Sequence, residues 1–260
     1  MFPIFNKLSK KIKFKINKKL KKIYSKNFLD YGQEKRFVYY KKLGLDFRKV
    51  LDIGAYDGGW TIMFRRIFPE SDVLMIEANQ EKEQALKSKG NYIIALLGSE
   101  DNKQVNYYKC KNSQIATGNS IYEENTFHEF KIEKRKTQKL SSISNIQGSY
   151  DLIKIDVQGS ELEIIKGGLD LIKNTKFLLL EVSLANYNKG APKIAEVLNF
   201  LDNINFELID VFDLNYNSDC LIQFDGFFKN KSFKGRNTVE LTEDQEFTLG
   251  PWGYQIYTAK

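Results

Sequence analysis

Six short apolar runs separated by helix-like stretches constrain this chain more than any other feature. The runs span residues 50–53, 73–76, 92–97, 152–157, 177–182 and 206–209. Helical patterns follow residues 31–43 ahead of them and 60–68, 80–89, 160–172 and 192–201 between them. Such alternation predicts an α/β fold: a mostly parallel sheet with helices on both faces. Residues 206–211 and 221–228 have no helix between them, and Asn215, Asn217, Ser218 and Asp219 supply turn chemistry in their connection. They predict a C-terminal antiparallel hairpin that completes seven strands. Two cysteines, Cys110 and Cys220, lie far apart, and His128 is the sole histidine of the 260 residues. That composition excludes thiolate zinc clusters, disulfide frameworks and Ser-His-Asp chemistry, and suits a reducing cytoplasm. No apolar run reaches the roughly 18–20 residues of a membrane span.

The charge is unevenly placed. The formal net charge is +7, yet the first 26 residues carry ten lysines and no acid, so the rest of the chain is mildly acidic. Phe5, Leu8, Ile12, Ile16, Leu20 and Ile23 recur at steps of three or four, one face of a helix. The organisation expected is a lysine-rich amphipathic leader over 1–29, a catalytic domain over 30–230 and an extension over 231–260 that carries Pro251, Trp252, Gly253 and Tyr254. The leader's apolar stripe can pack on the body or on a second copy in a homo-oligomer. Alternatively residues 4–24 lie on the anionic inner face of a membrane, as a peripheral contact. Nucleic-acid binding is the weakest reading, because no stacking platform or reading motif follows the lysines.

The sharpest local motif runs from Val50 to Thr61: an apolar strand, Asp52-Ile53-Gly54-Ala55-Tyr56-Asp57-Gly58, then a helix start. In such a unit the ligand sits beyond the carboxyl end of the strand. Tyr56 occupies the second glycine of a dinucleotide fingerprint, and the Gly-Lys-Ser/Thr of a P-loop is missing. The pattern acidic-x-Gly-x-x-x-Gly is instead the one associated with S-adenosylmethionine. Glu77 ends the next strand twenty-three residues after Gly54, where an acid bonds ribose hydroxyls in nucleotide folds. It can also cap the following helix.

A third motif resembles a known family. Ile153-Lys154-Ile155-Asp156-Val157-Gln158-Gly159-Ser160-Glu161, followed by Gly167-Gly168, is similar to the signature of FkbM-type methyltransferases. Leu180-Glu181-Val182-Ser183, then Tyr187-Asn188, Gly190-Ala191-Pro192 and Gln223-x-Asp225-x-x-Phe228, match further along. Gly118-Asn119-Ser120-Ile121-Tyr122 resembles one branch of the same family. The resemblance covers about residues 45–230. It departs at Gln158, commonly Glu in the family, at Ser141, and at Ala78 in place of a proline.

The resemblance implies a class I, Rossmann-like methyltransferase fold and S-adenosylmethionine-dependent O-methylation, often of sugar hydroxyls. The expected cofactor contacts are Asp52, Gly54, Ala55, Tyr56, Gly58, Glu77, Ala78, Leu96, Asn119, Ser120 and Asp156. Asp156 is the expected catalytic base, with Glu181 beside it; its alternatives are a helix cap or a bond to the cofactor's amino group. Ser160 and Glu163 form a Ser-x-x-Glu capping pattern that lessens the need for Asp156 as a cap. Glu161 and Glu181 could join Asp156 around a divalent cation, since hard cations favour carboxylates, but no metal ligands are assigned. Lys154 is expected to pair with an acid, Tyr56 and Trp60 to pack, His128 to lie exposed in a loop, and Asp225 to anchor a turn on an edge hairpin. The polar insertion over 99–145, with alternation at 105–108 and a helical pattern at 123–136, is expected to cover the active site.

Overall fold

The computed structural model describes residues 32–111, 118–126, 128–217, 219–233, 246–249 and 255–258. The lysine leader and the motif at 251–254 lie outside the described residues. Helix α1 (Gln33–Lys42) leads into the alternating unit: β1 (Lys49–Ile53), α2 (Gly59–Ile67), β2 (Asp72–Glu77), α3 (Glu83–Lys87) and β3 (Tyr92–Ile94). The insertion holds β4 (Gln104–Cys110) and β5 (Phe130–Lys136). Then follow β6 (Leu152–Ile155), α4 (Glu161–Gly167), α5 (Leu169–Lys173), β7 (Phe177–Ser183), α6 (Ile194–Asn203), β8 (Phe206–Asn217) and β9 (Cys220–Asn230). A separate ribbon pairs β10 (Glu246–Leu249) with β11 (Gln255–Thr258).

The main sheet has seven strands in the order β3-β2-β1-β6-β7-β9-β8. Pairs from β3 to β7 are parallel, and β9 is antiparallel to both β7 and β8. This is the mostly parallel seven-stranded sheet with an antiparallel C-terminal hairpin that the sequence predicts. Successive strand residues face opposite sides, so the apolar runs feed two cores. Leu51, Ile53, Ile153, Ile155, Leu178 and Leu180 pack with Leu162 and Ile165 of α4 and Leu201 of α6. Val50, Leu152, Phe177 and Leu179 pack on the other face with Phe37 and Tyr40 of α1 and Phe64 of α2. Phe37 is fully buried and meets Phe47, Phe64, Phe212 and Phe227 edge-on, contacts each worth about 0.5–1.5 kcal/mol beyond area.

Four expectations are corrected. The pattern at 123–136 is not a helix: residues 130–136 form β5, paired in register with β4 so that Tyr107 faces Glu133 and Tyr108 faces Ile132. Asn215 and Asn217 lie inside β8, and only positions 218 and 219 separate it from β9. The hairpin lies at the sheet edge as expected, but Asp225 is on its inner strand: β9 lies between β7 and β8, and Asp225 pairs with Glu181 rather than anchoring a turn. Ser160 and Glu163 form no capping box, because Ser160 makes no side-chain cap bond and Glu163 accepts from Ser99 and Lys166. Glu161 does the capping work, accepting from the Val157 and Gly159 amides at 3.2 and 3.1 Å.

Candidate active site

A cavity of about 380 Å³ opens beyond the carboxyl ends of β1, β2 and β6. The glycine loop forms one wall. Gly54 has φ +79°, and a Cβ there would lie 1.8 Å from the Asp156 carbonyl oxygen, so the β1 and β6 turns approach closer than any side chain allows. The Gly54 and Ala55 amides donate to Ile76 O at 2.9 and 3.1 Å, which locks the loop onto β2. Glu77 completes the lock: its carboxylate accepts from the Tyr56 amide and the Asn79 amide, both at 2.7 Å. Burial raises the Glu77 pKa against those two bonds. Asn79, not Glu77, caps the following turn through Glu81 N–H.

The opposite wall comes from the insertion, which covers the site as expected. Tyr107 of β4, Asn119, Ser120 and Ile121 line it. Ser120 Oγ donates to Gln158 O at 2.7 Å, and Arg135 Nη1 donates to Ala78 O at 2.5 Å while stacking on Tyr107. Of the expected cofactor contacts, Gly54, Tyr56, Glu77, Ala78, Leu96, Asn119, Ser120 and Asp156 line this cavity, and Glu181 joins them.

Asp52, Ala55 and Gly58 do not line it. Asp52 lies opposite Lys154 in the β1–β6 register, on the α1/α2 face, with no exposed surface. Its Oδ2 accepts from Thr61 Oγ1 at 2.7 Å and its Oδ1 lies 3.6 Å from Lys154 Nζ. Burial raises its pKa against the pull of Lys154. Asp52 is thus placed beside Lys154 rather than on the cavity wall, and Lys154 is paired as expected. Burial works to lower the Lys154 pKa, but Asp156 at 3.1 Å and Asp52 outweigh it and keep the ammonium. Trp60 packs on Phe64 at 4.7 Å, Tyr56 takes φ +50° beneath Lys82, and His128 is exposed.

The parity that buries Asp52 and Lys154 also lines up Asp156, Glu181 and Asp225 on the same face at the carboxyl end of the sheet. Asp156 is no helix cap: its carboxylate meets Lys154 and, at 3.4 Å, Gln158 Nε2. Glu181 accepts from the same Gln158 amide at 2.7 Å. Burial, then Asp156, Glu161 and Asp225 as like charges, push the Glu181 pKa well up. Burial and Asp156 push Asp225 up to about 8 despite Lys154, while Gln33 Nε2 donates to it at 2.6 Å. A second cavity of about 360 Å³ adjoins the first through Asp156, Glu181, Asn215 and Gln223, and adds Asp213 and Asp225 to its wall. Among the described residues no group of three or more His, Cys, Asp or Glu side chains is placed to hold a metal ion. Glu161 is turned away toward the amides it caps.

The first cavity fits S-adenosylmethionine. Its described wall has three carboxylates, Glu77, Asp156 and Glu181, and no Lys, Arg or His. Such a wall suits an ammonium and a sulfonium and opposes a dinucleotide's phosphates. Tyr107, Tyr187, Asn215 and Gln223 also line it; the sequence gives no signal for them beyond the alternation at 105–108 and the family-like runs at 187 and 223.

Comparison with known proteins agrees. The chain is 24% identical over 195 residues to the 2-O-methyltransferase NoeI of Sinorhizobium fredii, covering 67% of this chain and 78% of that protein. Among solved structures it resembles magnesium protoporphyrin IX methyltransferase of Synechocystis PCC 6803 with bound S-adenosylmethionine. That likeness has TM-score 0.46 and 12% identity over 76% of this chain and 77% of the other. It also resembles an FkbM methyltransferase of Methylobacillus flagellatus, with TM-score 0.44 and 15% identity over 74% of this chain and 47% of the other. The methyltransferase FkbM domain model matches residues 52–208, from the glycine strand into β8 and more than half of the chain. The protein therefore belongs to the FkbM family of S-adenosylmethionine-dependent methyltransferases.

Proposed function

We propose that this enzyme methylates a hydroxyl of a sugar or glycan acceptor, with residues 30–230 as the catalytic unit and Glu181 and Asp156 as its proton-handling pair. The observation that carries the reading is the pair's position at the junction of two cavities, one fitted to the cofactor and one open to an acceptor. NoeI, by name a 2-O-methyltransferase, supports oxygen as the acceptor atom. The polar lining of the second cavity, Asp213, Asn215, Gln223 and Asp225, suits a ring bearing several hydroxyls.

When bound, S-adenosylmethionine supplies an electrophilic methyl on a sulfonium. Glu77 and the glycine loop would hold the nucleoside end, with Leu96 and Tyr107 as the covering wall. Glu181, rather than the expected Asp156, which Lys154 holds at 3.1 Å, would take the acceptor's hydroxyl proton, a general-base contribution of about 10²–10⁴-fold. Asp156, fixed by Lys154, faces the developing charge and orients the acceptor, whose oxygen must sit within about 3–3.5 Å of the methyl. The lysine leader holds the enzyme against an anionic membrane surface, near lipid-linked acceptors; no helix among the described residues is long and apolar enough to cross a membrane.

The test is transfer of isotopically labelled methyl from S-adenosylmethionine to a panel of monosaccharides, oligosaccharides and amino-group acceptors, with products read by mass spectrometry. Label in an alkali-stable sugar ether, lost in Glu181→Gln, is the expected result. Label confined to nitrogen acceptors would sink the reading. Co-sedimentation with phosphatidylglycerol vesicles, abolished on deleting residues 1–26, checks the leader.

A further inference from the structure

Gln158 occupies an unusual backbone state. Its φ is +59°, in the left-handed region that a residue with a Cβ rarely enters without constraint. The constraint is visible on three sides. Its carbonyl accepts from Ser120 Oγ at 2.7 Å, which ties it to the insertion. The next residue, Gly159, has φ +103° and its amide is capped by Glu161. Its side-chain amide donates to Glu181 Oε2 at 2.7 Å and reaches Asp156 Oδ1 at 3.4 Å. The strained backbone therefore aims one neutral donor between two carboxylates.

That donor matters because of what surrounds Glu181. The charged and titratable groups facing it are Lys154 from β6, Asp156 just after it, Glu161 from α4, Asp225 from β9 and Tyr187 from the loop after β7. The cation of this set is committed elsewhere: Lys154 Nζ lies 3.1 Å from Asp156 and 3.6 Å from Asp52. Among the described residues, Gln158 is the hydrogen-bond donor to the Glu181 carboxylate. A donor to the charged form favours that form, and it also fixes which oxygen stays free.

We propose that Gln158 is a positioning residue of the methyl-transfer reaction: its amide favours the ionised form of Glu181 against the surrounding acids and turns the carboxylate so that its second oxygen faces the acceptor cavity. The proposal rests on the reading of Glu181 as proton acceptor and names what makes that role workable. An acid at this position would do the reverse, adding a third carboxyl to the pair and removing the donor.

The experiment is a pH titration of the full chain followed by infrared difference spectroscopy, which needs no acceptor. The carboxylic C=O band absent from Glu181→Gln marks Glu181. Gln158→Gly removes the amide while easing the left-handed backbone, so it threatens the fold least, and Gln158→Glu replaces the donor with a charge. The midpoint of the marked band should rise by about one pH unit or more in Gln158→Gly, a tenfold gain in proton affinity, and further in Gln158→Glu. The acidic limb of the pH–rate profile for methyl transfer should move by the same amount, which a merely structural defect would not produce. An unmoved midpoint in Gln158→Gly overturns the proposal, and so does a fall in Gln158→Glu. Failure of the base reading itself looks different: Glu181→Gln would keep its turnover while the infrared shift stood.

Discussion

Replacing Glu161 by Gln should make the protein more stable, and only at high pH. Glu161 is 5% exposed, and burial raises its pKa from 4.5 to about 7, against the two amides it caps and with Asp156 adding to the rise. A carboxyl whose folded pKa is raised binds a proton in the folded chain that the unfolded chain has released. Its contribution is therefore fully present below the unfolded value and is lost as pH rises through about 7. Two and a half pH units at about 1.36 kcal/mol each come to roughly 3 kcal/mol lost by neutral to alkaline pH. Gln keeps an oxygen for the Val157 and Gly159 amides and does not titrate. Urea unfolding of both proteins should give equal stabilities near about pH 4 and a variant more stable by about 3 kcal/mol near about pH 9. A difference that does not change with pH, or a wild type that gains on the variant as pH rises, would refute the reasoning.

Further outcomes follow from the same geometry. Lys154→Met should cost about 3–5 kcal/mol in urea unfolding, because it leaves Asp52 buried without its counter-ion, and Asp52→Asn in the same chain should recover much of that loss. Gly54→Ala should abolish cofactor binding in calorimetry even where the chain folds, since its Cβ would overlap the Asp156 carbonyl at 1.8 Å. Arg135→Ala frees the β5 ribbon from Ala78 and should raise the S-adenosylmethionine dissociation constant several-fold while leaving the unfolding midpoint nearly unchanged.

The sheet was legible because each strand is a compact apolar run feeding two cores, and the glycine loop because Gly54 meets a backbone constraint that no other residue satisfies. The placement of Asp156 and Glu181 on the cavity wall was legible for the same reason: both lie near the carboxyl ends of apolar strands, where ligands bind. Asp52 does not reach the cavity wall, and its parity with Val50 already turned it toward the α1/α2 face beside Lys154. The β5 strand was hidden because its Glu, Lys and Arg residues favour a helix locally, and only pairing with β4, some twenty residues earlier, overrides that preference. Asp225 needed register: nothing in its own neighbourhood reveals that it sits across from Glu181. Gln158 needed its left-handed backbone, which aims the amide at two carboxylates that sequence spacing leaves unconnected.

The most direct test of the account is calorimetric titration of the wild type, Glu77→Ala and Asp52→Asn with S-adenosylmethionine and S-adenosylhomocysteine. Glu77 lines the cofactor cavity and pins its glycine loop, whereas Asp52 is buried one layer below, against Thr61 and Lys154, and lines no part of that cavity. The account predicts saturable binding by the wild type, a loss of about tenfold or more in Glu77→Ala, and near wild-type affinity in folded Asp52→Asn. Full affinity in Glu77→Ala would contradict it and move the cofactor out of this cavity.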